Sequence, residues 1–143
     1  MNILIIVNLI ISAFMLGLII TTQVVSYPMF HFVNKNNFST YHNNYVNYVS
    51  TVVIPTMVLE LGFSILLFLI YKSISFFIPL FINIMILITT YFIQVPIHNI
   101  LGQKFNKQAI DRLIKTNWLR TLLWTVKVFL LVLIILKENI VWI

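Results

Sequence analysis

Two histidines, one carboxylate and two cations lie in parts of this chain that are otherwise apolar, and these are the side chains that could do chemistry: His42, His98, Glu60, Arg120 and Lys127. Imidazole and carboxylate together suit zinc, copper or non-haem iron. His42 and His98 are therefore candidate ligands of a metal ion, joined by Glu60 if Pro55 bends the intervening helix. Without a metal the same three groups are candidate catalytic acids and bases, since imidazole titrates near neutrality and a buried carboxylate can be tuned toward it. No HxxxH, HxxH or ExxH spacing occurs. The metal and acid–base readings therefore both stay open. A third histidine, His31, falls in a polar connection and is a pocket candidate by proximity alone.

The elements that must position these residues follow from composition. Of 143 residues 61% are hydrophobic and only 8% are charged, with a mean hydropathy of +1.03. A soluble domain carries about a quarter of its residues charged, so the reading is an integral membrane protein. The same figures exclude a disordered chain and a nucleic-acid-binding domain. The absence of cysteine excludes disulfides, thiol chemistry and Cys-ligated zinc or iron–sulfur centres. A bilayer core of about 30 Å needs about 20 apolar helical residues, and four runs of that length occur, at about 3–27, 48–71, 76–101 and 117–136. The expected fold is all-α, a single four-helix transmembrane domain over residues 1–143. The first run has no basic leader and no small-x-small cleavage site, so it reads as a retained span and not a signal peptide.

Three connections join the spans. Residues 29–47 are rich in Asn, Tyr and His, with Asn37 or Ser39 available to cap a helix entering the second span. Residues 72–75 form a tight turn. Residues 103–116 read as a short amphipathic helix on the membrane surface, capped by Asn106, with Ile110, Leu113 and Ile114 on one face and Lys107, Asp111, Arg112 and Lys115 on the other. The first and third connections share one side and carry Lys35, Lys104, Lys107, Arg112 and Lys115, against Lys72 and Lys137 opposite. By the positive-inside rule the basic side is cytoplasmic. The chain is then expected to be a multi-pass protein of a bacterial inner membrane with both termini non-cytoplasmic.

Polar residues in such helices mark protected faces. At 100° per residue, Asn117, Arg120, Trp124 and Lys127 share one quadrant of the fourth span, and Asn83, Thr90, Gln94 and His98 one quadrant of the third. On the first, Asn8, Ser12, Thr22, Gln23 and Ser26 form a looser stripe. Glu60 lies roughly twelve residues into its span and Lys127 roughly ten into its own, which at 1.5 Å per residue puts both near the midplane as partners. The pair either fixes helix register or poises Glu60 as a proton acceptor. The remaining polar groups crowd toward the basic side and describe a funnel closing on Glu60 and Lys127. Its expected binding residues are Arg120, Lys127, Gln94, Asn99, Asn117, Trp124 and Tyr27, with Trp124 as a wall. Trp118 and Trp142 read as interfacial anchors. Pro28 is expected to end a helix, whereas Pro55, Pro79 and Pro96 lie inside spans.

The strings YPMF at Tyr27, FSTYHNNY from Phe38, PTMVLE from Pro55, QVPIHNIL from Gln94 and TNWLRTLLWTVK from Thr116 together resemble a widespread, largely uncharacterised family of small bacterial four-helix membrane proteins. That family is distantly similar to the anthrone oxygenase-like membrane proteins. The resemblance covers about residues 23–127. It implies a four-helix membrane fold and, through the more distant similarity, oxidation of a hydrophobic phenolic substrate within the bundle, with His98 or His42 as base. Lys127 stands where the pattern carries arginine, which keeps the charge and loses the planar fork that pairs bidentately with a carboxylate.

Three functions compete. The first is a membrane enzyme, an oxidoreductase if the resemblance carries over, or a ligand- or cofactor-binding protein that admits a small lipophilic molecule to the funnel. The second is an accessory subunit of a larger membrane complex. The third is a small proton-coupled transporter, which at this size would have to form a homo-oligomer. The partners expected are the lipid bilayer and a small lipophilic ligand.

Overall fold

The computed structural model describes residues 3–140, with side chains as far as Lys137; Trp142 lies outside the described residues. Four helices there are long and apolar enough to cross a membrane: Ile3–Phe32, Lys35–Tyr71, Ile74–Gln103 and Lys107–Lys137, the last continuing in regular helix to Ile140. They pack as a square. The first helix lies against the second and fourth, and the third lies against the same two, leaving first and third on one diagonal. Large apolar side chains face outward along every helix, among them Phe14, Leu69, Phe81 and Phe129.

Inside, apolar and polar layers alternate along the bundle axis. At the basic end Tyr27, Phe30, Phe38, Leu101, Ile110 and Leu113 form one buried cluster. A central cluster contains Met15, Ile19, Met57, Ile86 and Trp124, and a third, at the opposite end, contains Ile5, Leu67 and Phe76. Each gap between clusters holds buried polar groups. The gap nearer the basic end holds Gln23, Gln94, Asn117 and Arg120, and the other holds Asn8, Ser12, Glu60, Ser64, Asn83 and Lys127.

Several boundaries differ from the sequence expectation. Pro28 does not end the first helix. A π-helical turn over Thr22–Ser26 precedes it, with the Tyr27 N–H bonded to the Thr22 carbonyl, and the chain stays helical to Phe32. The third helix repeats the device over Thr90–Gln94 before Pro96, with the Val95 N–H on the Thr90 carbonyl. A proline lacks its N–H and clashes with the carbonyl four residues earlier, and widening the helix by one residue per turn relieves both problems. In each turn the leading threonine also satisfies the preceding backbone, Thr22 Oγ1 donating to the Leu18 carbonyl at 2.9 Å and Thr90 Oγ1 to that of Ile86 at 2.7 Å. The second helix, by contrast, runs through Pro55 without interruption.

The amphipathic segment 103–116 is not a separate surface helix. The chain breaks at Lys104, which is extended, and restarts at Asn106, whose Oδ1 accepts the Ala109 N–H at 3.0 Å as an N-cap. From Lys107 the helix has no Gly or Pro to stop it and continues to Ile140. Its apolar face, Ile110 and Leu113, is fully buried in the basic-end cluster. The tight turn after the second helix is closed by Lys72 in the left-handed conformation (φ 45°), its N–H on the Phe68 carbonyl at 2.8 Å.

Candidate functional site

The deeper polar layer is a hydrogen-bonded network that ties all four helices together, and among the described residues Asn8 Oδ1 is its one buried side-chain atom without a partner. Lys127, at 0% exposure, donates its three ammonium protons to Glu60 Oε1 at 2.8 Å, Asn83 Oδ1 at 2.9 Å and Ser64 Oγ at 3.2 Å. Glu60 Oε1 also accepts from Ser12 Oγ at 2.7 Å, and Trp124 Nε1 donates to Oε2 at 3.1 Å. Ser64 Oγ further accepts from Asn8 Nδ2 and Asn83 Nδ2, both at 3.3 Å. The first helix supplies Asn8 and Ser12, the second Glu60 and Ser64, the third Asn83 and the fourth Trp124 and Lys127. Ser64 was not singled out from sequence, although its place four residues after Glu60 puts it on the same helix face.

This network does not floor a funnel. Glu60, Lys127 and Trp124 do not line the two cavities nearer the basic end, and Trp124 is completely buried with its indole turned to the carboxylate. Every charged atom in the network is already bonded to protein. Such a satisfied buried ion pair is suited to fixing helix register.

The other polar layer is built differently. Two glutamines, one from each π turn, grip the fourth helix from opposite sides. Gln23 Nε2 donates to the Ile114 carbonyl at 3.1 Å while Gln23 Oε1 accepts from Asn117 Nδ2 at 2.9 Å, and Gln94 Nε2 donates to Thr116 Oγ1 at 3.1 Å. Asn117 is thus consumed in holding the helix and does not face a ligand. Its Oδ1 receives Arg120 Nη1 at a long 3.3 Å.

Arg120 is the anomaly of the structure. It is 6% exposed, its Nε has no hydrogen-bond partner, and its guanidinium lies 5.4 Å from the ring centre of Trp124. The chain has three carboxylates in all. Glu60 pairs with Lys127 at 2.8 Å and Asp111 with His31 at 3.0 Å, and Glu138 is five helical turns along from Arg120, about 27 Å at 1.5 Å per residue. A buried cation without a counterion is costly. Arg120 instead lines a cavity of about 220 Å³ whose wall is mainly apolar, from Leu18, Val49, Val53 and Met57, with Tyr27, Tyr45, Gln94 and His98 converging on the same space. Gln94 Oε1 is buried there without a partner.

His98 joins this cavity to a second one. Tyr27 Oη and His98 Nε2 share a hydrogen bond at 3.0 Å, and His98 Nδ1 shares another with His42 Nε2 at 3.0 Å. His42 is held between Phe38, stacked at 5.8 Å, and Phe30, edge-on at 5.4 Å, and its Nδ1 is buried without a partner. Tyr27 lines the Arg120 cavity. His42 lines a polar vestibule of about 400 Å³ at the basic end, with Asn43, Gly102 and Gln103, while His98 and Asn99 border both spaces. The three side chains form a continuous chain from cavity to vestibule. If Tyr27 donates to His98, then His98 Nδ1–H donates to His42 and His42 Nδ1 carries the last proton; the reversed arrangement differs by one proton passed along the chain.

Comparison with protein-family models, with curated proteins and with solved structures gives no match. The chemistry therefore rests on these residues.

The metal set is not assembled. His42 and His98 meet, but Glu60 lies five turns along the second helix from His42, about 27 Å away, because Pro55 does not fold that helix back. Among the described residues no group of three His, Cys, Asp or Glu side chains gathers closely enough to hold a metal ion. His31 is not in the pocket; it is partly exposed and pairs with Asp111. Of the expected binding residues, Arg120, Tyr27, Gln94 and Asn99 line the cavity, whereas Lys127, Trp124 and Asn117 do not. Tyr45, which is not among the expected binding residues, is part of its wall.

Proposed function

We propose that this chain is an integral membrane protein, both termini non-cytoplasmic, that binds a small lipophilic molecule through an acidic oxygen and moves a proton to or from it. The observation that carries the reading is Arg120, a buried guanidinium with no carboxylate among the described residues, turned to a mostly apolar cavity. An anionic or strongly polarised oxygen supplies the charge the protein withholds, and the apolar wall favours a hydrocarbon body beside it. Carboxylates, phenolates and enolates meet this description. The phenol implied by the family resemblance is one of them.

Tyr27, His98 and His42 supply the acid–base half. A neutral acid entering the cavity gives its proton to the Tyr27 oxygen as the Tyr27 proton passes to His98 Nε2 and that of His98 Nδ1 passes to His42 Nε2. The anion remains against Arg120, His98 ends in its other tautomer, and the positive charge rests on His42, which borders the vestibule. Glu60 and Lys127 have no part in this step, being sealed from both spaces. A transporter reading rests on that pair exchanging partners, and its saturated bonding disfavours it.

The test is equilibrium binding of octanoate to the detergent-purified protein, with octanol as the uncharged control. Octanoate is expected to bind saturably at one site per chain, and octanol at least about tenfold more weakly, since a charge-assisted hydrogen bond contributes about 1.5–3 kcal/mol. Equal binding of the two, or binding that does not saturate, would remove Arg120 from the account of recognition.

A further inference from the structure

The Arg120 cavity is too small for a long hydrocarbon, but it is not isolated. Beside it, between the first and second helices, runs a groove of about 620 Å³ that opens on the side of the bundle. Leu18, Thr22, Tyr45 and Val49 belong to the walls of both spaces, so only these side chains, and no helix, lie between the groove and the cavity. Its lining is graded. Thr22, Ser26 and Tyr45 lie at the end toward the basic side, and Ala13, Phe14 and Val52 line the far end. No charged side chain lines it.

Gly17 gives a second observation. A small residue four positions after Ala13 is the pattern by which membrane helices approach closely. Here it is not used that way, because a Cβ built on Gly17 meets nothing within 4 Å. The missing side chain leaves space in the groove.

We propose that the groove holds the hydrocarbon chain of the molecule whose acidic oxygen Arg120 binds. The ligand is then a single-chain amphiphile, of the long-chain carboxylic acid type, that reaches its site sideways from the lipid. This inference rests on the reading of the cavity given above and adds the chain, its length class and its route. A polar end beside a cation, an apolar remainder and a width set by only two helices match one alkyl chain and not the paired chains of a phospholipid.

The test uses the full-length protein in phosphatidylcholine nanodiscs, with octanoate and hexadecanoate as probes and Gly17→Leu as the variant that fills the groove, at a position whose Cβ has open space within 4 Å. The variant is expected to bind octanoate within about twofold of the unaltered protein and hexadecanoate at least about tenfold more weakly. Unchanged hexadecanoate binding in the variant would overturn the groove while leaving the cavity intact. Failure of the unaltered protein to bind either acid would instead defeat the cavity reading. A second measurement does not depend on the variant. Hexadecanoic acid with a photoreactive diazirine at its tail should label the Phe14 and Val52 peptides, and excess hexadecanoate should suppress that labelling where added phosphatidylcholine does not. Labelling spread over all outer faces, or displaced equally by phosphatidylcholine, would mean the groove is filled by bulk lipid only, and the proposal would fall.

Discussion

Arg120→Met is expected to make the ligand-free protein more stable and to abolish octanoate binding. The two effects have one cause. In the empty protein the guanidinium is buried with a long hydrogen bond to Asn117, a hydrogen bond to the Tyr27 hydroxyl, one ring face and an unpartnered Nε, and no carboxylate among the described residues offsets its desolvation penalty. Replacing a buried ion by an apolar side chain of similar length is neutral to stabilising by about 1–4 kcal/mol. In the complex the same cation is half of a charge-assisted pair, and truncating one half of such a pair costs about 2–5 kcal/mol. Thermal denaturation in detergent should therefore show a raised midpoint for Arg120→Met, and equilibrium dialysis an affinity lower by about thirtyfold or more. A lowered midpoint with unchanged octanoate binding would show that Arg120 is a structural residue whose partner is the bundle itself. Residues that oppose stability in the empty state are where proteins most often store function.

Lys127→Met removes a cation of similar burial and is expected to do the opposite. Its three protons are all bonded to protein oxygens, and its loss leaves Glu60 as an unpaired carboxylate in a dry interior. Breaking a buried pair by removing one partner costs about 3–5 kcal/mol. The double variant Glu60→Gln/Lys127→Met should recover most of that loss, because it deletes both charges and keeps an amide that can still accept from Ser12 and Trp124. The double-mutant cycle, read by denaturant titration in micelles, is expected to give a coupling energy well above that of surface pairs. A double variant as unstable as Lys127→Met alone would mean that the residues do not act as a pair.

The contrast between these cations was only half legible in the sequence. Hydropathy gave four helices because a run of about 20 apolar residues has few alternatives, and counting depth from the basic side paired Glu60 with Lys127. The wheel also placed Arg120 and Lys127 in one quadrant, and there its information ended. An angle around a helix does not say what stands across from it, and here Trp124 sits between the two cations and closes the space, so the expected funnel stops at Arg120. The π turns were hidden for a related reason. Proline signals a break in the i→i+4 ladder, but whether the helix ends or widens is not written in the proline itself, and here a π turn precedes both Pro28 and Pro96. The segment from Lys107 to Thr116 was correctly read as amphipathic. Periodicity identifies an apolar face but not its cover, and the protein's own core covers it. His42 and His98 were read as two separate candidates with Glu60 as a third; their direct bond depends on the register between the second and third helices, which no local pattern encodes.

The most direct measurement is a solid-state NMR recoupling experiment between the carboxyl carbon of [1-¹³C]octanoate and ¹⁵N-labelled arginine side chains in proteoliposomes. The chain has two arginines, and Arg112 is exposed, so Arg112→Lys leaves the Arg120 guanidinium as the one labelled side chain. Strong dephasing of the carboxyl signal in Arg112→Lys is the predicted result, placing the carboxylate in contact with Arg120. No dephasing from bound octanoate would contradict the account, because the acid would then be held somewhere other than the buried cation on which it rests.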